Sequence, residues 1–159
     1  MIEAEKSVSA ETENPRIPKI SRILLVLRND VDYLKTVDYV INLANSIEDS
    51  KVFVLYTVDL DPVPMDEKTE REFYRKLRAE GKKIVETAIN RLKNAGVYAE
   101  FYDMHFGIAA ERILKAEREL APDLIVMGVR GLSTFKKMLL GSVSDEVTKL
   151  AKTPVLIVK

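Results

Sequence analysis

Short apolar runs alternate with amphipathic stretches along most of the chain, and this alternation limits the fold more than any other feature. Residues 20–27 (ISRILLVL), 51–58 (KVFVLYTV), 97–104 (VYAEFYDM), 124–127 (LIVM) and 155–158 (VLIV) read as strands. Between them the apolar period changes to that of a helix. Tyr33, Val37, Val40, Ile41 and Ala44 recur at helical spacing and predict a helix over 32–46, with Asp30 or Asp32 as its cap. Residues 67–95 carry Phe73, Leu77, Gly81, Ile84, Ala88 and Leu92 on one stripe, ended by Gly96 as a C′ glycine. Two further helices are expected over 109–120 and 142–151. Gly81 lies mid-helix, where glycine costs about 1 kcal/mol, and marks a close approach or a kink.

Strands that alternate with helices imply right-handed crossovers. The class is therefore α/β: an open five-stranded parallel sheet with helices on both faces. Such sheets bind ligands beyond the carboxyl ends of their strands, at a topological switch point. The loops of interest follow strands one and four, at 28–32 and 128–141.

Composition removes other chemistry. Among 159 residues there are no cysteines and a single histidine, His105, which excludes disulfides, thiolate catalysis and a two-histidine zinc site within one chain. No metal site is expected. Lys+Arg and Asp+Glu both number 25, so nothing suggests a nucleic-acid partner. The apolar runs fall far short of the roughly 20 residues that cross a bilayer, so no membrane partner is expected either. The polar start of the chain lacks an apolar h-region, and the protein reads as cytoplasmic. Residues 1–19 hold seven charges and two prolines without apolar period, and are expected to form a flexible N-terminal tail. Residues 20–159 form one domain.

The segment MGVRGLSTFKKMLLGSVSDEV, residues 127–147, carries the most chemistry. Gly128 and Gly131 let the backbone turn and present N–H groups with no Cβ in the way. Gly141 and Ser142 open a helix, whose first N–H groups and positive dipole end suit an anion. Arg130 can pair with phosphate oxygens. A plain turn with a Ser142–Asp145 capping box accounts for the same residues without a ligand.

Gly128-x2-Gly131-x9-Gly141-Ser142 resembles the nucleotide-binding signature of the universal stress protein family. The match extends through DLIVMG at 123–128, LLGSVS at 139–144 and TPVLIV at 153–158. Arg22 to Val26, the pair Val58-Asp59 and Gly107 also fit, so the resemblance covers 20–159. It implies an adenine nucleotide alpha-hydrolase-like fold with strand order 3-2-1-4-5. It further implies a dimeric module in stress response that binds ATP or AMP, with Mg²⁺ as a possible companion, and pairs through its last strand, 155–158. Phosphate would meet backbone donors at Gly128, Arg130, Gly131, Gly141 and Val143, with hydroxyls from Ser142 and Ser144. Leu27 and Met127 would line the sugar and base region.

One position departs from the family. Its first strand usually ends in an aspartate that holds the adenosine, and here that position is Arg28. A guanidinium only donates, so it cannot copy the contact. Either Asp30 or Asp32 substitutes, or the pocket is changed; Arg28 could reach a phosphate or pair with Asp59. This motivates an alternative, a protein-interaction dimer of the same fold that binds no nucleotide. Enzymatic activity is left open and amounts at most to slow ATP hydrolysis, because no group is identified that would position a water. The P-loop, the Rossmann glycine fingerprint and the Ser-Gly-Gly loop of ATP pyrophosphatases are absent from the sequence. His105 and the acids Asp59 and Asp61 read as polar loop residues, and Tyr98, Phe101 and Tyr102 as strand packing.

Overall fold

The computed structural model describes residues 17–30, 32–129 and 141–159. Five strands and four helices alternate: β1 (Arg22–Leu27), α1 (Tyr33–Asn45), β2 (Lys51–Asp59), α2 (Glu67–Asn94), β3 (Tyr98–Gly107), α3 (Ala109–Leu120), β4 (Leu124–Gly128), α4 (Ser142–Leu150) and β5 (Val155–Val158). The sheet order is β3-β2-β1-β4-β5, and every pairing is parallel.

The strands are continuous apolar runs because both faces of the sheet are covered. Leu25, Leu27, Val54 and Tyr56 face α1 and α2, packing with Val37, Val40, Val85, Ala88 and Leu92. Leu24, Val26, Leu55 and Met127 face α3 and α4, against Ala110, Ile113, Val143 and Val147. Burying each such Leu, Ile or Val stabilises by about 1.5–3 kcal/mol, so the two layers together hold the sheet between them.

Local signals set the ends. Asp66 caps α2, accepting the N–H groups of Lys68 and Thr69 at 3.1 and 3.0 Å. Gly96, at φ 80°, is the expected glycine beyond the other end. Asp123 joins the starts of β1 and β4: its carboxylate accepts from the N–H groups of Ser21 and Arg22 at 2.9 and 2.8 Å. Burial alone would raise its pKa, but these donors outweigh that and hold the carboxyl below the usual range.

Three expectations need correction. Strand β3 runs on to Gly107, so His105 lies within the sheet, paired with Thr57, and not in a loop. Asp59 ends β2 rather than opening a loop, and its carboxylate accepts the Ala109 N–H at 3.0 Å, capping α3 from a neighbouring strand. Tyr98 and Phe101 are not packing residues: they are 55% and 47% exposed on an edge strand that, among the described residues, has a neighbour on one side only. The register steps from Val54↔Phe101 to Leu55↔Asp103, leaving Tyr102 as an extra residue. Such a bulge breaks the in-and-out alternation of a regular strand.

Candidate functional site

The switch point lies at the carboxyl end of β1, between β2 and β4. Strand β1 ends at Leu27, and Arg28 follows, only 6% exposed. The chain then folds back, the Asp30 N–H donating to the Arg28 carbonyl at 2.9 Å. The Asp32 N–H donates to Asp30 Oδ1 at 3.1 Å. Asp32 is the N-cap of α1 by position, but its side chain caps nothing.

This turn brings Asp30 to the glycine that ends β4. A Cβ on Gly128 would lie 2.9 Å from Thr36 Oγ1, 3.9 Å from the Val158 carbonyl oxygen and 4.0 Å from Asp30 Oδ2. Gly128 is therefore required by the close packing of α1 on β4, and Asp30 presents its carboxylate beside it. Thr36 carried no signal in the sequence, being one polar residue on a buried helix face. Below lies Tyr56, whose hydroxyl is buried without a hydrogen bond among the described residues, as is that of Thr57. Burial, then the charges of Glu80 and Asp30, push the Tyr56 phenol up to about 12, so it stays protonated as a donor.

Helix α4 supplies the opposite wall. Its N-cap is Gly141, with no side-chain cap. The expected capping box therefore does not form. Asp145 instead pairs with Lys149 at 2.7 Å, and its N–H makes the first bond of the helix, to the Gly141 carbonyl at 2.9 Å. The N–H groups of Ser142 to Ser144 precede the first helical bond, as at any helix start. The Ser144 hydroxyl donates to the Gly141 carbonyl at 2.9 Å, which fixes the turn. Gly141 itself sits at φ −55°, ψ 153°, where any residue fits. Among the described residues an added Cβ would touch only Ser144 Oγ, at 3.7 Å. Nothing in the described fold asks for glycine there.

Of the residues expected at the site, Gly128, Gly141, Ser142, Val143 and Ser144 belong to these two walls. Arg130 and Gly131 lie outside the described residues. The Leu27 and Met127 side chains are buried in opposite core layers, so these strand ends form the floor and do not turn their side chains into the crevice. Among the described residues no group of three or more His, Asp or Glu is arranged to hold a metal.

The family model for the universal stress protein family matches residues 19–159. The chain belongs to this family. Universal stress protein MJ0531 of Methanocaldococcus jannaschii is 32% identical over 128 residues, 79% of this chain and 74% of that protein. Universal stress protein YxiE of Bacillus subtilis is 42% identical over 88 residues, 55% of this chain and 59% of that protein, so this match spans less than two thirds of its length. The solved structure of MJ0577 from Methanocaldococcus jannaschii superposes with a TM-score of 0.77 at 27% identity, covering 89% of this chain and 97% of that one. A universal stress protein solved in complex with cAMP superposes with a TM-score of 0.63 at 25% identity, covering 89% and 98%. A family protein of Arabidopsis thaliana, solved with AMP bound, shares the fold at 19% identity and a TM-score of 0.65, covering 87% and 91%. Family solutions thus include nucleotide complexes. Among the described residues no helix is long and apolar enough to cross a membrane.

Proposed function

We propose that the switch-point crevice binds an adenine nucleotide, ATP or AMP, and that the protein is a cytoplasmic regulatory module in stress response. The observation that carries the reading is Gly141. Nothing among the described residues needs glycine at this N-cap, but a ligand approaching the uncapped start of α4 does, because a Cβ or capping side chain would stand over those N–H groups. Phosphate oxygens accept from the backbone N–H groups of Gly128, Gly141, Val143 and Ser144 and from the Ser142 hydroxyl, the Ser144 hydroxyl being already donated to the Gly141 carbonyl; Arg130 and Gly131 are assigned to the same site from the sequence. Relatives solved with cAMP and AMP support an adenine nucleotide as occupant.

In this reading Asp30 takes the part of the missing first-strand carboxylate. It is close to Gly128, and as an acceptor it suits sugar hydroxyls, not phosphate. The nucleotide then lies with its sugar toward Asp30 and its phosphates toward α4. Mg²⁺ accompanies the phosphates, and no side chain is assigned to it. Calorimetric titration with ATP and Mg²⁺ tests this. The expected result is saturable binding, weakened about tenfold by Asp30→Ala through loss of a charge-assisted hydrogen bond. Equal affinity in the variant would remove Asp30 from the site.

The same reading makes the protein a homodimer through β5. Among the described residues Val155 to Val158 pair only with β4, on one side, and Leu156 is exposed on the open edge, a feature that is usually covered. Light scattering at micromolar concentration should give twice the 18.0 kDa of one chain; a monomer would contradict the pairing. Arg28 favours a second reading. Buried where the family carries a carboxylate, it supports a dimer that binds partner proteins and no nucleotide, and absence of binding in the titration would select it.

A further inference from the structure

A second cavity lies at the carboxyl ends of β2 and β3, toward the β3 edge of the sheet from the switch point. Its volume is about 460 Å³, within the range that holds small organic molecules. Leu60, Phe73, Tyr74 and Phe106 form its apolar walls, with Val63 and Met65 from the connecting loop. The rings are held in place by one another. Tyr74 packs edge-to-face on Phe73 and on Phe106, with centroids 5.6 and 6.0 Å apart. The backbone below is tied by the Leu60 N–H donating to the Gly107 carbonyl at 3.0 Å.

The polar residues at this cavity have one sign. Asp59, Asp61 and Glu70 line it, and among the described residues no lysine, arginine or histidine does. Asp59 is engaged at the start of α3. Asp61 and Glu70 form no ion pair and no side-chain hydrogen bond among the described residues. An aromatic cavity with a carboxylate rim and no internal counter-charge complements a cation with an apolar body. Ring faces attract cations through their quadrupole, and carboxylates add a direct charge term. An anion would be repelled, and a neutral molecule would leave the acidic rim unused.

We propose that this cavity is a binding site for small organic cations, an ammonium group carried on an aromatic or branched alkyl body. The site is independent of the nucleotide reading, since it shares no residue with the crevice at Gly128 and Gly141.

The test is a titration of the full chain with benzyltrimethylammonium at low ionic strength, followed at the backbone amides of Leu60, Asp61, Phe106 and Gly107. Benzyl alcohol serves as the neutral control. The cation is expected to give saturable shifts at these amides in the millimolar range. The neutral probe should bind about five- to tenfold more weakly, and Asp61→Asn with Glu70→Gln should weaken the cation by a similar factor. Both substitutions are on exposed side chains, and an unchanged circular dichroism spectrum confirms that the variant folds. Equal binding of the two probes would overturn the proposal in favour of an unselective apolar cavity. Absence of saturable shifts at these amides would overturn it outright, whatever happens at the nucleotide crevice.

Discussion

Gly141→Asp is expected to make the protein slightly more stable and to remove nucleotide binding. The two effects have opposite signs, which separates a ligand site from a structural turn. Gly141 already has the β-region backbone of an N-cap, and among the described residues its Cβ position meets only Ser144 Oγ at 3.7 Å. An aspartate there can accept the N–H of Val143 or Ser144, which improves on glycine by a few tenths of a kcal/mol, and its charge at the positive helix end adds about 0.3–1 kcal/mol. Those N–H groups are the ones proposed for phosphate. Their loss, with a carboxylate facing the phosphate oxygens, should lower affinity about a hundredfold or more. Gly141→Asn is the companion variant: it caps equally well without the charge, so comparing the two divides blocked donors from repulsion. A variant that is more stable in urea and keeps its ATP affinity would show that the helix start is only a turn.

Gly81→Val should have the largest effect on stability. Gly81 lies against the ring of Tyr56, where a built Cβ comes within 2.6 Å of Cε1 and 3.0 Å of Cδ1, and within 3.0 Å of the Met104 terminal methyl. Met104 can shift, but the Tyr56 ring is fully buried beneath α2 and cannot. Gly81→Ala already places its Cβ in this overlap, so a gain of about 1 kcal/mol in helix propensity is outweighed and the variant should be destabilised by about 1–2 kcal/mol. Valine adds two more carbons at the same point and should cost about 3 kcal/mol, a large share of a domain's stability. The measurement is the urea midpoint of each variant at unchanged slope. Wild-type stability in Gly81→Val would mean that α2 does not pack this closely on β2.

These two glycines show what was legible in the sequence. Gly81 stood out because it interrupts a helical stripe, which pointed to a close approach or a kink; the approach to Tyr56 decides it. The strands were legible because residues such as Leu24 and Leu25 must be apolar on both sides of a doubly covered sheet. The helices were legible from the spacing of Val37, Val40 and Ala44, and of Val85, Ala88 and Leu92. What stayed hidden depends on neighbours far apart in sequence. The bulge at Tyr102 is a matter of register between β2 and β3, which no local period reports. Asp59 caps a helix 50 residues later, so it read as a loop acid. The capping box at Ser142 and Asp145 was a sound local pattern, but the helix starts at Ser142 itself, which moves the cap to Gly141. Asp30 was one of two candidate carboxylates, and only the backward turn at Arg28 sets it beside Gly128.

The central claim is that the start of α4 and the end of β4 bind the phosphates of an adenine nucleotide. Its most direct test is a titration with ATP and Mg²⁺ followed at individual backbone amides. Saturable shifts at Gly128, Ser142, Val143 and Ser144 are the predicted result, because these are the amides proposed to border the phosphates. Absence of saturable shifts at these amides with millimolar nucleotide, in a protein that is folded, would contradict it.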